Sequence, residues 1–316
     1  MYNQEEYLLK RISPNSQFSD LFTYPKYVEL ETVNACNARC PMCTIDDWER
    51  KSPTMKDDLF LKIADDLGAN VESLKRVSLY RDGEPLLDKK MAWRILELKK
   101  RNIPETAIAT NAQLLTEKKA DELLESGLDL IIFSIDSLKK DIFERIRARL
   151  NFETVIENTK NFIKKRDAGN YKTKIWIRMI RQKDNFRELD EYLSYWKPLV
   201  SPIDRVYHHD IFNWGGQLEN YVPITENSEE ARPCVALWSL LVIFSDGNVP
   251  LCNVDYNGKF MTGNVNKHSI QEIWKNKIIN KRRDLHLSGK KSDIPLCISC
   301  DVWNDKYLKV ESMYGD

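Results

Sequence analysis

From residue 27 to residue 211 the chain alternates short β-rich apolar runs with amphipathic stretches of helical period, and this alternation limits the fold more than any other feature. Six runs read as strands: YVELETV (27–33), RVSLYR (76–81), TAIATN (106–111), LIIFSID (130–136), KIWIRMI (174–180) and DRVYHHDI (204–211). Between them, DDLFLKIADDLG, DKKMAWRILELKKR, TEKKADELLESG and FETVIENTKNFIKKR repeat apolar residues at intervals of three and four, the spacing of one helix face. Strand-helix alternation of this kind predicts βα units around a parallel sheet. TEKKADELLESG carries its own limits, with Thr116 as N-cap and Gly127 at the C-cap position. Six units in roughly 185 residues are too few for a closed eight-stranded barrel of about 250 residues. The predicted fold class is therefore α/β, a partial (β/α)6 TIM-like barrel, with reactive groups at the carboxyl ends of its strands.

After NWGGQLE (213–219) the pattern changes. LWSLLVIFSDGNVPLC predicts a β-hairpin turning at Asp246-Gly247. A helix is predicted in SIQEIWKNKIINKRRDLHL, and the pair CISC follows. The chain divides into an N-terminal extension (1–26), the barrel (27–215), a small C-terminal α+β module (216–303) and a tail (304–316). A length of 316 residues suits one large and one small unit.

Lysine plus arginine number 48 and aspartate plus glutamate 48, so no net field gathers nucleic acid, polyphosphate or anionic lipid. The basic run KNKIINKRRDLHLSGKK keeps helical spacing, with Trp274, Ile278 and Ile279 expected to be buried beneath a charged outer face. No window approaches eighteen apolar residues, and MYNQEEYLLKR lacks a secretory apolar stretch. The expected location is the cytoplasm, where thiols stay reduced and clustered cysteines point to metal or catalysis. The seven cysteines divide into three, Cys36, Cys40 and Cys43 within CNARCPMC, and four, Cys234, Cys252, Cys297 and Cys300. Four thiolates saturate a four-iron cluster, whereas three leave one iron open. Zinc also takes cysteine, and for the later four a structural zinc site stays open as an alternative.

CNARCPMC is similar to the cysteine-x3-cysteine-x2-cysteine loop of the radical S-adenosylmethionine (SAM) superfamily. The resemblance implies a [4Fe-4S] cluster on Cys36, Cys40 and Cys43 whose open iron is chelated by the amino and carboxylate groups of SAM, with Met42 near the adenine. RDGEPLL (81–87) resembles the family's Gly-Gly-Glu segment, with Asp82 in place of the first glycine and Gly83 and Glu84 matching at the methionine amino group. TNAQLL resembles the TNG-type segment through Thr110 and Asn111, and FSID resembles the ribose-contacting strand through Ser134 and Asp136. Each segment alone also reads as an ordinary turn or helix cap; their order at consecutive strand ends favours the family. RPCVALWSLLVIFSDGNVPLCNVDYNGKFMTGNV, with SIQEIW and PLCISC, resembles the SPASM/Twitch accessory domain, in its shortened form with one auxiliary [4Fe-4S] cluster on the four later cysteines.

The two resemblances imply reductive cleavage of SAM to a 5′-deoxyadenosyl radical, hydrogen abstraction from a sugar or aminocyclitol, and an auxiliary cluster that accepts an electron as an alcohol is oxidised. A sugar epimerase, a maturase of a ribosomal peptide and, outside enzymes, a zinc-stabilised binding module are the alternatives. The implied partners are a small polyhydroxylated substrate and an external low-potential donor such as flavodoxin or ferredoxin, with neither nucleic acid nor membrane. Arg178 in the fifth strand is a candidate substrate clamp or a salt-bridged strand charge. His208, His209 and Asp210 end the sixth strand as candidate proton acceptors, and alternation turns only one histidine inward. Tyr80 and Arg81 end the second. Arg145 and Arg147 are assigned to a solvated helix face, and Trp214 beside Gly215-Gly216 to a lid, a hinge or the core.

Overall fold

A computed structural model of the chain describes residues 3–51, 54–218, 221 and 232–300. The tail at 304–316 and the last residues of the second module, 301–303, lie outside the described residues. In chain order the elements are α1 (Gln4–Ile12), β1 (Tyr27–Leu30), α2 (Asp57–Gly68), β2 (Arg76–Ser78), α3 (Met91–Lys100), β3 (Thr106–Thr110), α4 (Glu117–Glu125), β4 (Leu130–Ser134), α5 (Lys140–Ile146), α6 (Phe152–Ala168), β5 (Lys174–Arg181), α7 (Leu189–Trp196) and β6 (Arg205–Asp210). The C-terminal module adds α8 (Ala236–Ser239), β7 (Leu240–Ile243), β8 (Asn248–Val249), β9 (Gly263–Asn264), α9 (Ile270–Trp274) and α10 (Lys277–Leu287).

All six expected strands form and pair in parallel, and a seventh joins them, in the order β6-β5-β4-β3-β2-β1-β7. The fold is an α/β partial barrel. Every residue of β4 is buried, as expected of a parallel strand covered on both faces. α2 buries Leu59, Phe60, Ile63, Ala64 and Leu67, the stripe that its period of three and four predicts. Thr116 caps α4 by accepting from the Lys119 amide, and Gly127 ends that segment at φ +78°.

The predicted hairpin is corrected. Asp246-Gly247 does turn the chain, with Gly247 at φ +87° and its amide bonded to the Phe244 carbonyl at 2.8 Å. The strand before that turn, β7, leaves the module and pairs in parallel with β1, Tyr27 opposite Leu240 through Leu30 opposite Ile243. β8 pairs instead with β9 in a small antiparallel ribbon. All four β7 residues are buried, and burial of a side chain of this kind contributes about 1.5–3 kcal/mol, which a two-residue hairpin partner does not offer. The single helix expected over 269–287 is two, divided at Asn276, whose Oδ1 accepts from the Ile278 and Ile279 amides. Trp274 and Ile279 are buried as expected, whereas Ile278 is 50% exposed because it follows the new N-cap and faces outward.

A second core cluster joins α1 to the C-terminal module, packing Tyr7, Leu8 and Ile12 against Val235, Trp238 and Leu296. Among the described residues no helix is long and apolar enough to cross a membrane.

Candidate active site

The carboxyl ends of β1 to β6 surround a cavity of about 240 Å³. Cys36, Cys40 and Cys43 all line it, on the loop that leaves β1. That loop is fixed from several sides. Its Arg39 amide bonds the Ala148 carbonyl at 2.9 Å, the Cys43 amide the Cys40 carbonyl at 2.9 Å, and Trp214 Nε1 the Met42 carbonyl at 3.1 Å. Gly83 lies beneath the start of the loop, where a Cβ would stand 2.3 Å from the Val33 oxygen and 2.7 Å from that of Ala35, so only glycine fits.

All seven cysteines are free thiols. Burial pushes Cys36 up to about 11 and Cys43 up to about 12, and Cys40 in the same direction. Three buried thiols side by side are poor anions unless a cation compensates them, so the donor set suits a metal cluster. Among the described residues no three His, Cys, Asp or Glu side chains gather closely enough to hold a single ion.

The SAM candidates form a connected wall. Glu84 is buried, and its carboxylate accepts from the Thr110 hydroxyl at 2.6 Å and from the Asn111 and Leu86 amides at 2.9 and 3.0 Å, binding the ends of β2 and β3 together. Asn111 Nδ2 donates to Asn37 Oδ1 at 2.9 Å, beside Cys36. The next residue, Ala112, holds φ +60° where the related segment has glycine. Met42, Gly83 and Ser134 line the cavity as well, and Ser134 accepts from Arg178 Nη2 at 2.8 Å. Asp136 is placed apart, behind the lining, where it accepts from Arg147 Nε at 2.6 Å and from the Ile180 amide at 2.8 Å.

Arg147 corrects a sequence expectation. Arg145 is on the solvated face, 56% exposed and paired with Asp184, but Arg147 is only 11% exposed and lines the cavity with Nη1 3.9 Å from Cys40 Sγ. α5 ends at Ile146, so Arg147 leaves the helical path at φ −110°, ψ 57° and turns inward. Its Nη2 is buried without a hydrogen-bond partner.

Of the residues ending β5 and β6, Arg178 and His209 face the cavity while His208 and Asp210 do not. Strand register explains the choice, since Arg178 stands opposite Tyr207 and Ile180 opposite His209 on one face. Burial, aided by the Arg178 charge, pushes His209 down to about 4. Its Nδ1 lies 3.0 Å from the Asp210 carbonyl and donates to it, which leaves Nε2 as an acceptor. His208 is half-buried, and Asp210 forms a bidentate pair with Arg181. Tyr80 and Arg81 both reach the cavity. Arg81 pairs with Asp82 and donates to the Asn253 carbonyl, next to Cys252. Asp82, the substitute for glycine, is thus held between Arg81 and Arg50. Glu29 of β1 also lines the cavity, and its place was open to sequence reasoning as an acidic residue inside an apolar parallel strand.

The later cysteines come from separate stretches. Cys234 and Cys297 act on Cys252, and the same two thiols act with Cys300 on the Lys291 ammonium. Burial raises Cys252 well above the usual thiol range and Cys297 to about 12, the same unmet demand for a cation as in the first set. Trp214 connects the two sites: it lines the cavity, and Gly215 and Gly216 follow it at φ +73° and +80°, packed on Leu296 and Ser299 of the CISC turn.

A partial barrel that opens three thiols to a cavity, joined to a four-thiol module at its edge, defines an iron-sulfur protein with two distinct cluster sites. Residues 30–180 match the radical SAM superfamily and residues 234–301 the SPASM iron-sulfur cluster-binding domain. The chain thus carries a radical SAM domain followed by a SPASM domain, and the cofactors of these domains are SAM and [4Fe-4S] clusters. It is 34% identical over 171 residues to the tungsten-containing aldehyde ferredoxin oxidoreductase cofactor-modifying protein of Pyrococcus furiosus, a match over 54% of this chain and 48% of that protein. The chain therefore aligns with about half the length of that relative. It is 25% identical over 289 residues to the SAM-dependent 2-deoxy-scyllo-inosamine dehydrogenase of Niallia circulans, covering 91% of this chain and 96% of that enzyme. BtrN crystallised with AdoMet and 2-DOIA superimposes with a TM-score of 0.61 at 21% identity, over 88% of this chain and 93% of BtrN, a likeness of fold. Streptococcus suis SuiB bound to precursor peptide SuiA gives 0.66 at 17% identity, over 89% and 70%.

Proposed function

We propose that the enzyme oxidises an alcohol of a small polyhydroxylated substrate, a sugar or an aminocyclitol, to a ketone. The feature that carries this reading is the division of the thiols: three line the cavity and the other four belong to the C-terminal module, so with all seven assigned to clusters none is spare. An epimerase returns a hydrogen atom to carbon, commonly from a thiol, and here no cysteine is left to give one. Similarity to an inosamine dehydrogenase along nearly its whole length supports the same substrate class.

Cys36, Cys40 and Cys43 would hold the SAM-binding cluster, and Cys234, Cys252, Cys297 and Cys300 the auxiliary one. Bound there, SAM and the first cluster supply a 5′-deoxyadenosyl radical. Gly83, Glu84, Thr110, Asn111, Met42 and Ser134 would seat SAM. Asp136 acts through Arg147, whose uncommitted Nη2 suits a carboxylate. Arg178, with its Nε buried and unpartnered, would orient substrate hydroxyls, and neutral His209 would accept from one of them. Arg81 lines the cavity and reaches the residue after Cys252, which supports a place for the substrate on the side of the auxiliary site. A low-potential carrier such as flavodoxin or ferredoxin is the proposed reductant, and the cytoplasm the proposed location. Incubation with 2-deoxy-scyllo-inosamine and a panel of sugars in deuterated buffer tests the reading. Ketone is the expected product; deuterium retained at carbon would show epimerisation instead.

A further inference from the structure

Oxidising a carbinol to a ketone removes one hydrogen atom, one electron and one proton, and the proton needs an acceptor within the cavity. The carboxylates at the rim are almost all committed. Glu84 is held by Thr110, Asn111 and Leu86, Asp82 by Arg81 and Arg50, and Asp136 by Arg147 and the Ile180 amide. Glu29 is different. Its side chain lines the cavity at 13% exposure, no described residue donates it a hydrogen bond, and its one ionic neighbour, Arg81 Nε, stands at 3.8 Å, beyond hydrogen-bonding reach. That Nε is itself buried without a hydrogen-bond partner. A carboxylate kept out of water with its acceptor positions unused is costly to the fold, and such groups mark places where a ligand completes the bonding.

We propose that Glu29 is the catalytic base that takes the hydroxyl proton from the substrate. The proposal rests on the oxidation reading above and assigns its proton step. The substrate C–H and O–H bonds break and the C=O π bond forms. The hydrogen atom would go to the 5′-deoxyadenosyl carbon that bound SAM supplies, the electron to the iron-sulfur cluster that Cys252 and its partners would hold, and the proton to a Glu29 oxygen. Position favours this division, because Arg81, the neighbour of Glu29, reaches the residue after Cys252. The groups facing Glu29 are Tyr80, Arg81 and Asp82 from the end of β2 and Tyr27 on its own strand, with Arg178 and His209 across the cavity; β7 contributes only apolar Leu240 and Val242. Burial pushes its carboxyl up to about 7, with Asp82 adding and Arg81 opposing, a proton affinity suited to a base at neutral pH. His209, pushed down to about 4, holds a proton less well.

The test compares wild-type enzyme, Glu29→Gln and Glu29→Asp, each reconstituted with iron and sulfide and given 2-deoxy-scyllo-inosamine deuterated at its carbinol carbons. For Glu29→Gln, kcat for ketone formation is expected to fall roughly 100-fold with KM changed less than about threefold, while deuterium still enters 5′-deoxyadenosine. Glu29→Asp should recover part of the rate. Infrared titration of the wild-type chain should show a carboxyl band changing near pH 7 that Glu29→Gln lacks. A Glu29→Gln rate and pH profile matching wild type, or a wild-type spectrum without that band, would overturn the assignment of Glu29. Wild-type enzyme that makes no ketone would overturn the oxidation reading itself.

Discussion

Cys36, Cys40 and Cys43 stand on one loop at the end of one strand and face an open cavity, whereas Cys234, Cys252, Cys297 and Cys300 come from three separated stretches brought together only by the folded module. The first set is local, so its geometry follows from β1 and a short loop. The second is convergent, and depends on the turn at Gly247, the caps of α9 and α10 and the packing of Trp214-Gly215-Gly216 against the CISC turn. On the proposed reading, the first site leaves a ligand position open and the second closes around its contents. A local set binds a reacting molecule; a convergent set suits a fixed carrier of charge.

The most damaging way to break this contrast is to remove the local set. Changing Cys36, Cys40 and Cys43 to Ala should abolish SAM cleavage and lower iron from about eight to about four per chain after anaerobic reconstitution. Residual 5′-deoxyadenosine in that variant would contradict the division of labour. Cys297→Ala strikes the convergent set, so product should vanish while reductive SAM cleavage stays measurable by chromatography; undiminished turnover would remove the electron-accepting role. Arg147→Ala sharpens the first site without touching a thiol. It strands buried Asp136, which costs about 3–5 kcal/mol for a broken buried pair, read as a lower urea midpoint of the cluster-free chain.

Two smaller effects probe the cavity wall. Glu29 holds its proton more tightly folded than unfolded, so its stabilising contribution is complete below the ordinary carboxyl range and is lost as pH rises towards about 7. Relative to wild type, Glu29→Gln should therefore gain on the order of 1–3 kcal/mol between about pH 4.5 and 7, measured by urea unfolding of the cluster-free chain at each pH. Equal pH dependence in both proteins would mean that Glu29 is not held in a raised state. Last, Ala112→Gly relieves a left-handed backbone at φ +60° and should stabilise by about 0.5–1 kcal/mol after the extra chain entropy of glycine is subtracted.

The six barrel strands, the cap at Thr116 and the loop of Cys36, Cys40 and Cys43 were legible because each is written in a short stretch with its own period, cap or spacing. What escaped notice depended on distant partners. β7 reads as half of a hairpin until β1 is seen to lack an outer neighbour. Arg147 reads as helix surface because its inward turn begins one residue after α5 ends. The choice between His208 and His209 needed the register with β5, and the standing of Glu29 needed the knowledge that Arg81 commits both its terminal nitrogens elsewhere, to Asp82 and the Asn253 carbonyl. In each case the deciding contact lies far away in the chain.

β7 has a consequence for synthesis. The strand that carries the first cysteine loop keeps one bare edge until the ribosome has released most of the chain, and the segment that covers it lies between Cys234 and Cys252, two of the proposed ligands of the later site. A truncated or stalled product would display an apolar, unpaired margin open to pairing with other chains. On the proposed reading, completion of the barrel and delivery of the carrier site are one assembly event, which would guard a reactive centre against being built without its electron outlet.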